Sequence, residues 1–237
     1  MCHSNDSRPP AAPTGGAVAS HGPIRLSTAD GFDFPAYEAI PATANGRGVV
    51  LLPDIRGVAP FYRELAQRFA EAGFHTVAYD YFFRTAGSDA RGDDFDFRPH
   101  IARLRREEVV AQTAAAAARI DGRVFSVGFC LGGGLSWQLA ASGIGLAGTI
   151  GFYGLPHFVD EVLEDVAVPQ LYLLAGADVA TPPEAFQALR ERLDRAGKTY
   201  EMHTYDGAPH SFFDRAQGEW SQACDDAWRR ILRFTAA

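Results

Sequence analysis

Three side chains whose chemistry depends on one another occur along this chain in a fixed order: a thiol, a carboxylate and an imidazole. Cys130 stands in "SVGFCLGGGLSWQLAA", residues 126–141, between an apolar run and a cluster of glycines. Asp178 follows the apolar run "LYLLAG", and His210 follows "YEMHTY" through a loop that contains Gly and Pro. A thiol beside a histidine that is itself oriented by a carboxylate is an activated nucleophile. Gly128-Phe129-Cys130-Leu131-Gly132 fits the small-x-nucleophile-x-small pattern of a strand that bends abruptly into a helix, with cysteine in place of the usual serine. Such a bend strains the nucleophile's backbone and crowds its flanks, so Gly128 and Gly132 stand where a Cβ would clash. Sulfur at a helix N-terminus also meets the positive end of the helix dipole, which favours thiolate.

Other readings of the same residues stay open at this level. A cysteine among apolar residues is, taken alone, more often inert core than nucleophile. Asp206, in an ordinary Asp-Gly turn, and Asp80, at a strand end, are rival acids. His75 and His203 lie inside strand patterns, His3 and His21 in the N-terminal stretch, and His100 and His157 in loops or at helix starts. His210 differs from all of them in its strand-end, glycine-containing setting.

The elements that must hold these groups follow from periodicity. "PIRLST" and "FDFPAYEAI" read as a leading antiparallel pair, and "GVVLLP" (48–53) as a strand buried on both faces. "PFYRELAQRFAEAG" repeats apolar positions at Phe61, Leu65, Phe69 and Ala72 and ends in Gly73, the pattern of an amphipathic helix with a glycine C-cap. Then come the strand "FHTVAYDYF", an Ala-rich helix over 99–119 with Arg103, Arg105 and Arg106 on its solvated face, and the strand "RVFSVG". A helix from 131, the strands "AGTIGFYG" and "PQLYLLAG", a helix over 182–196, "TYEMHTY" and a closing helix over 217–234 complete the chain. Strands alternating with helices imply parallel pairing by right-handed crossovers, with helices on both faces of one sheet. Residues 23–237 are expected to form a single α/β domain. Residues 1–22, rich in Pro, Ala, Ser and Gly, are expected to be a flexible arm.

Composition narrows the function classes. The chain has 237 residues, 47% of them hydrophobic, enough for a sizeable core, and 29 acidic against 22 basic residues for a formal charge of -7. No basic block follows a phosphate backbone, so nucleic acid is not an expected partner. Cys2, Cys130 and Cys224 are scattered without CxxC spacing, which suggests neither disulfides nor zinc; Cys2 and His3 are two ligand types, too few for a metal site. Without a secretory h-region or a long apolar span, the chain is expected to be soluble and cytoplasmic, with no membrane partner.

Taken together, "VGFCLGGGLS", "AGADVATP", "GAPHSF", "PDIRG" and "YDYFFR" resemble the dienelactone hydrolase family of α/β hydrolases over residues 23–234. The resemblance implies the α/β-hydrolase fold, a Cys130-His210-Asp178 triad, no metal and no organic cofactor. It implies that Asp54, aligned with a family glutamate and one methylene shorter, regulates the thiol. Backbone N–H groups of Ile55 and Leu131 would form the oxyanion hole. Arg84 and Arg215 would bind a substrate carboxylate, although the family places its second arginine where this chain has Asp214. Tyr153 would line the substrate. The expected activity is hydrolysis of a small activated ester or lactone. The alternatives are a broad carboxylesterase or thioesterase, and a non-catalytic thiol sensor on the same scaffold.

Overall fold

In a computed structural model the described residues are 3–4, 6–87, 91–92 and 94–237. The alternation read from sequence builds one eight-stranded sheet in the order β1-β2-β4-β3-β5-β6-β7-β8. Strands β1 (Val18–Ser27) and β2 (Asp33–Pro41) pair antiparallel, and β2 joins β4 (His75–Tyr79) antiparallel through Ala36 opposite Tyr79. From β4 onward β3 (Arg47–Leu52), β5 (Arg123–Phe129), β6 (Gly148–Phe152), β7 (Gln170–Ala175) and β8 (Tyr200–Tyr205) are all parallel.

The parallel strands are buried on both faces, which is why they read as continuous apolar runs. On β3, Val49 and Leu51 enter one core with helices α1 (Pro60–Glu71) and α8 (Ser221–Ala236). Val50 and Leu52 enter the opposite core with α4 (Arg106–Ala117) and α5 (Leu131–Gln138). Tyr172 and Leu174 of β7 pack with α7 (Pro183–Arg195). Short helices α2 (Phe83–Ala86), α3 (Arg98–Ile101) and α6 (His157–Asp160) lie in the connections. Helix α1 buries Phe61, Leu65 and Phe69 as its spacing requires, and Gly73 follows with φ 89°.

Two expectations are corrected. The helix expected over 99–119 is two helices, α3 and α4, broken at residues 102–105, where Arg103 and Arg105 are exposed and little apolar surface is there to bury. The boundary expected at residue 22 falls inside β1, and the stretch before it is packed rather than free. His3, Ser7, Pro9 and Pro10 are buried, the Gly16 N–H donates to Glu71 O at 3.1 Å, and Trp228 Nε1 donates to Pro10 O at 3.4 Å. Prolines restrict this stretch in the unfolded chain, so ordering it costs less than composition suggests. Of the residues named from sequence, Cys2 lies outside the described set.

Candidate active site

Strand β5 ends at Phe129, and α5 begins at Leu131, so Cys130 is the whole of the turn between them. Its φ of 56° and ψ of -122° are a strained conformation for an L-residue. The flanking glycines are required sterically. A Cβ on Gly128 would sit 1.9 Å from Gly132 O, and one on Gly132 would sit 2.2 Å from Pro53 O. Cys130 is held by its own N–H, which donates to Phe152 O at 3.1 Å, while Cys130 O accepts from Gly133 N–H at 2.9 Å. Among the described residues, the non-glycine positions of positive φ are Cys130, Tyr153 at 37° and Ser211 at 63°. Ser211 adjoins His210. Such strain, on the order of 1–3 kcal/mol per residue, concentrates where side chains must be aimed.

Asp178 lies in the loop after β7 and His210 in the loop after β8. Two backbone bonds lock these loops together: Gly176 N–H to Tyr205 O at 2.9 Å, and Ala177 N–H to Ala208 O at 2.9 Å. The lock aligns the side chains, and His210 Nδ1 meets Asp178 Oδ2 at 2.8 Å, with only 7% and 4% of the two side chains exposed. The second carboxylate oxygen, Asp178 Oδ1, accepts the Ala180 N–H at 2.8 Å. The rival acids are placed elsewhere. Asp206 is exposed in its turn, and Asp80 is forked by Arg91 at 3.0 and 2.5 Å.

Burial by itself would lower the His210 pKa, but hydrogen bonds to Asp178 and to the Cys130 side chain, with the charges of both, raise it to about 9. An imidazole shifted that way is an imidazolium at neutral pH, held between a carboxylate and a sulfur. The second buried cysteine is different in kind. Cys224 donates to Phe212 O at 3.4 Å, and burial first of all pushes its thiol up to about 11.

The loop after β3 faces the elbow, because Leu52 and Pro53 carbonyls touch Gly132. Its second residue, Asp54, is 1% exposed and accepts the Arg56 N–H at 2.9 Å on Oδ1 and the His3 N–H at 3.1 Å on Oδ2. Ile55 follows, its carbonyl accepting from Arg91 at 3.4 Å. Leu131 is the first residue of α5, where a helix leaves its N–H groups without intrahelical partners. Tyr153 is 1% exposed, with its ring 4.8 Å from that of His210.

The two arginines singled out from sequence point to other partners. Arg84 Nε is 3.3 Å from Glu108, and its guanidinium lies 3.6 Å over the Phe32 ring. Arg215 is 55% exposed and 3.9 Å from Glu64. Sequence reasoning missed His3 and Arg91. His3 sits in a stretch with no periodicity, and Arg91 in a loop of mixed charge, so neither carried a signal. Among the described residues no group of His, Cys, Asp and Glu could hold a metal ion, and no helix is long and apolar enough to cross a membrane.

The model of the dienelactone hydrolase family matches residues 34–237. The chain belongs to the dienelactone hydrolase family. A carboxymethylenebutenolidase of Rhodococcus opacus is 30% identical over 255 residues, covering 99% of this chain and 96% of the relative. The solved Klebsiella pneumoniae structure named "Putative Dienelactone Hydrolase" superposes with a TM-score of 0.77 at 27% identity, over 92% of this chain and 99% of that one. An acylaminoacyl peptidase, at 13% identity and TM-score 0.70 over 93% of this chain and 42% of its own, shares the fold alone. The α/β-hydrolase fold expected from sequence is therefore the fold found, and the chain is a hydrolase of dienelactone hydrolase type.

Proposed function

We propose that this dienelactone hydrolase family member cleaves small activated esters or lactones through a thiol nucleophile, Cys130, served by His210 and Asp178. The observation that carries this reading is the His210 imidazole, hydrogen-bonded to a buried carboxylate and to the cysteine of a strained strand-to-helix turn. The relative named as a carboxymethylenebutenolidase supports the lactone class.

In the proposed reaction the Cys130 thiolate attacks the substrate carbonyl, forming a C–S bond and an alkoxide. Backbone N–H groups of Ile55 and Leu131 receive that oxyanion; losing one such donor typically costs about 3 kcal/mol of barrier. The His210 imidazolium donates its proton to the leaving oxygen as the C–O bond breaks. The neutral imidazole then takes a proton from water, which attacks the thioester and releases the acid and the thiol. Asp178 keeps the imidazole in one tautomer and orientation throughout. Asp54, in the loop after β3 that faces the elbow, is the carboxylate we assign to regulating the thiol.

A thiolate leaves more readily than an alkoxide, so its tetrahedral adduct collapses backwards unless the substrate's own leaving group is stable. Enol lactones, aryl esters and thioesters meet that condition, and amides do not. Arg84 and Arg215 would each have to leave Glu108 and Glu64 to bind a substrate carboxylate. A panel of these three substrate classes tests the reading. Cys130→Ala is expected to abolish turnover and Cys130→Ser to leave weak activity with altered ester preference; full activity of Cys130→Ala would refute the nucleophile. Comparable rates on acidic and neutral esters would favour the broader carboxylesterase reading.

A further inference from the structure

We infer that His3 is a specificity-determining residue: its ring, folded back over the site by the chain's own N-terminal segment, limits the size of the acyl group that Cys130 can accept. The inference rests on the proposed nucleophile.

The His3 ring is 3% exposed and stacks on Phe61, with centroids 3.7 Å apart and planes at 15°. It meets Phe129, the residue before Cys130, edge-on at 6.2 Å. Its Nε2 lies 2.9 Å from the hydroxyl of Tyr153, whose ring is beside His210. Its backbone N–H holds Asp54, the residue before Ile55. His3 therefore touches a direct neighbour of the nucleophile, of the base and of an oxyanion donor. From these contacts we take the ring as one wall of the space in which an acyl group bonded to sulfur would lie.

The wall is built in rather than draped. Asp214 Oδ1 accepts the Arg8 N–H at 2.9 Å, Arg215 N–H donates to Arg8 O at 2.7 Å, and Pro10 and Gly16 are tied to Trp228 and Glu71. His3 Nδ1 has no hydrogen-bond partner and stands 3.8 Å from Asp214 Oδ2. The cavity that His3 borders with Asp54, Arg56, Phe61 and Tyr62, which Cys130 does not line, is about 10 Å³, the room of a single water, so the ring is packed tightly on that side. Cys130 is nevertheless only partly buried with His3 in place. The thiol is therefore not sealed, and on this inference the ring would select among substrates instead of silencing the enzyme.

The test uses the full chain, as wild type, His3→Ala and His3→Phe, with two readouts. The first is the kcat/KM ratio of an aryl hexanoate to the aryl acetate with the same leaving group. The second is the ratio of Cys130 alkylation rates by N-benzyl iodoacetamide and by iodoacetamide, followed by peptide mass spectrometry. His3→Ala is expected to raise both ratios at least tenfold, and His3→Phe, which keeps a ring of similar size, to leave them within twofold of wild type. A structural role alone would change the rates for large and small probes together. Ratios unmoved in His3→Ala, or raised as much in His3→Phe, would overturn the inference. If no variant hydrolyses any ester, the functional reading fails while the alkylation ratio still decides the role of His3.

Discussion

The turn at Cys130 and the N-terminal segment, whose His3 meets Asp54 and Tyr153, are held by opposite means. Around Cys130 the constraint is backbone on backbone: glycine carbonyls and α-carbons approach within distances that leave no room for a Cβ. Across the N-terminal segment the constraint is made of individual contacts, from Asp214 to the Arg8 N–H, from Trp228 to Pro10 O and from Tyr153 to His3. The first kind of restraint fails all at once when a methyl group is added. The second can be loosened one contact at a time, leaving the fold beneath it intact.

Breaking the turn should have the largest effect. Gly128→Ala places a methyl against Gly132 O, and we expect the unfolding free energy from urea titration to fall by about 3 kcal/mol, with loss of both hydrolysis and Cys130 alkylation. An Ala variant of native stability would show that the turn is softer than its geometry.

Next in size is the pH response of the group between the two regions. His210 has its folded pKa raised to about 9, so its protonated form is present below that value and disappears as pH rises through it. A leaving oxygen that depends on this proton should then see kcat/KM fall about tenfold per pH unit above that range. The stability the charged group contributes has the same sign, complete below the ordinary histidine value and lost on the way up through the folded one. A pH–rate profile flat to pH 10 for an alkyl ester would remove His210 as the proton donor.

The smallest expected effect is on the N-terminal segment. Burial would raise the Asp214 pKa, but contacts from His3, Ser7 and the N–H groups of Arg8 and Ala216 bring it down to about 2. The tie contributed by this lowered carboxylate is present above the ordinary aspartate value and lost as pH falls through about 2. Asp214→Asn at neutral pH should loosen residues 6–16 by about 1 kcal/mol, seen as faster amide hydrogen exchange there, with little change in the exchange of β5 and α5. Equal acceleration in both regions would mean that the segment and the core open together.

The same contrast explains what was legible in the sequence. Gly128, Cys130 and Gly132 announce their geometry because their conformations are local, fixed by neighbours in sequence and by the loss of a Cβ. The order of strands and helices is legible because both faces of β3 and one face of α1 carry their burial in their periodicity. The break at Ala102–Arg105 was not legible, since an Ala-rich stretch supports a helix whether or not the sheet is there to receive it. His3 gave no signal because its partners, Asp54, Phe61 and Tyr153, lie far along the chain and its own neighbours have no pattern.

By itself, then, the sequence determined the alternation of elements, the glycine-flanked turn at Cys130, and the loops in which Asp178 and His210 stand, each a matter of local sterics or periodicity. Tertiary structure alone decided that Asp178 rather than Asp206 or Asp80 partners His210. It also decided that Arg84 and Arg215 turn to Glu108 and Glu64, and that His3 packs against Asp54 and Tyr153. Those outcomes depend on which groups meet across distant loops, and no run of neighbouring residues encodes such a meeting.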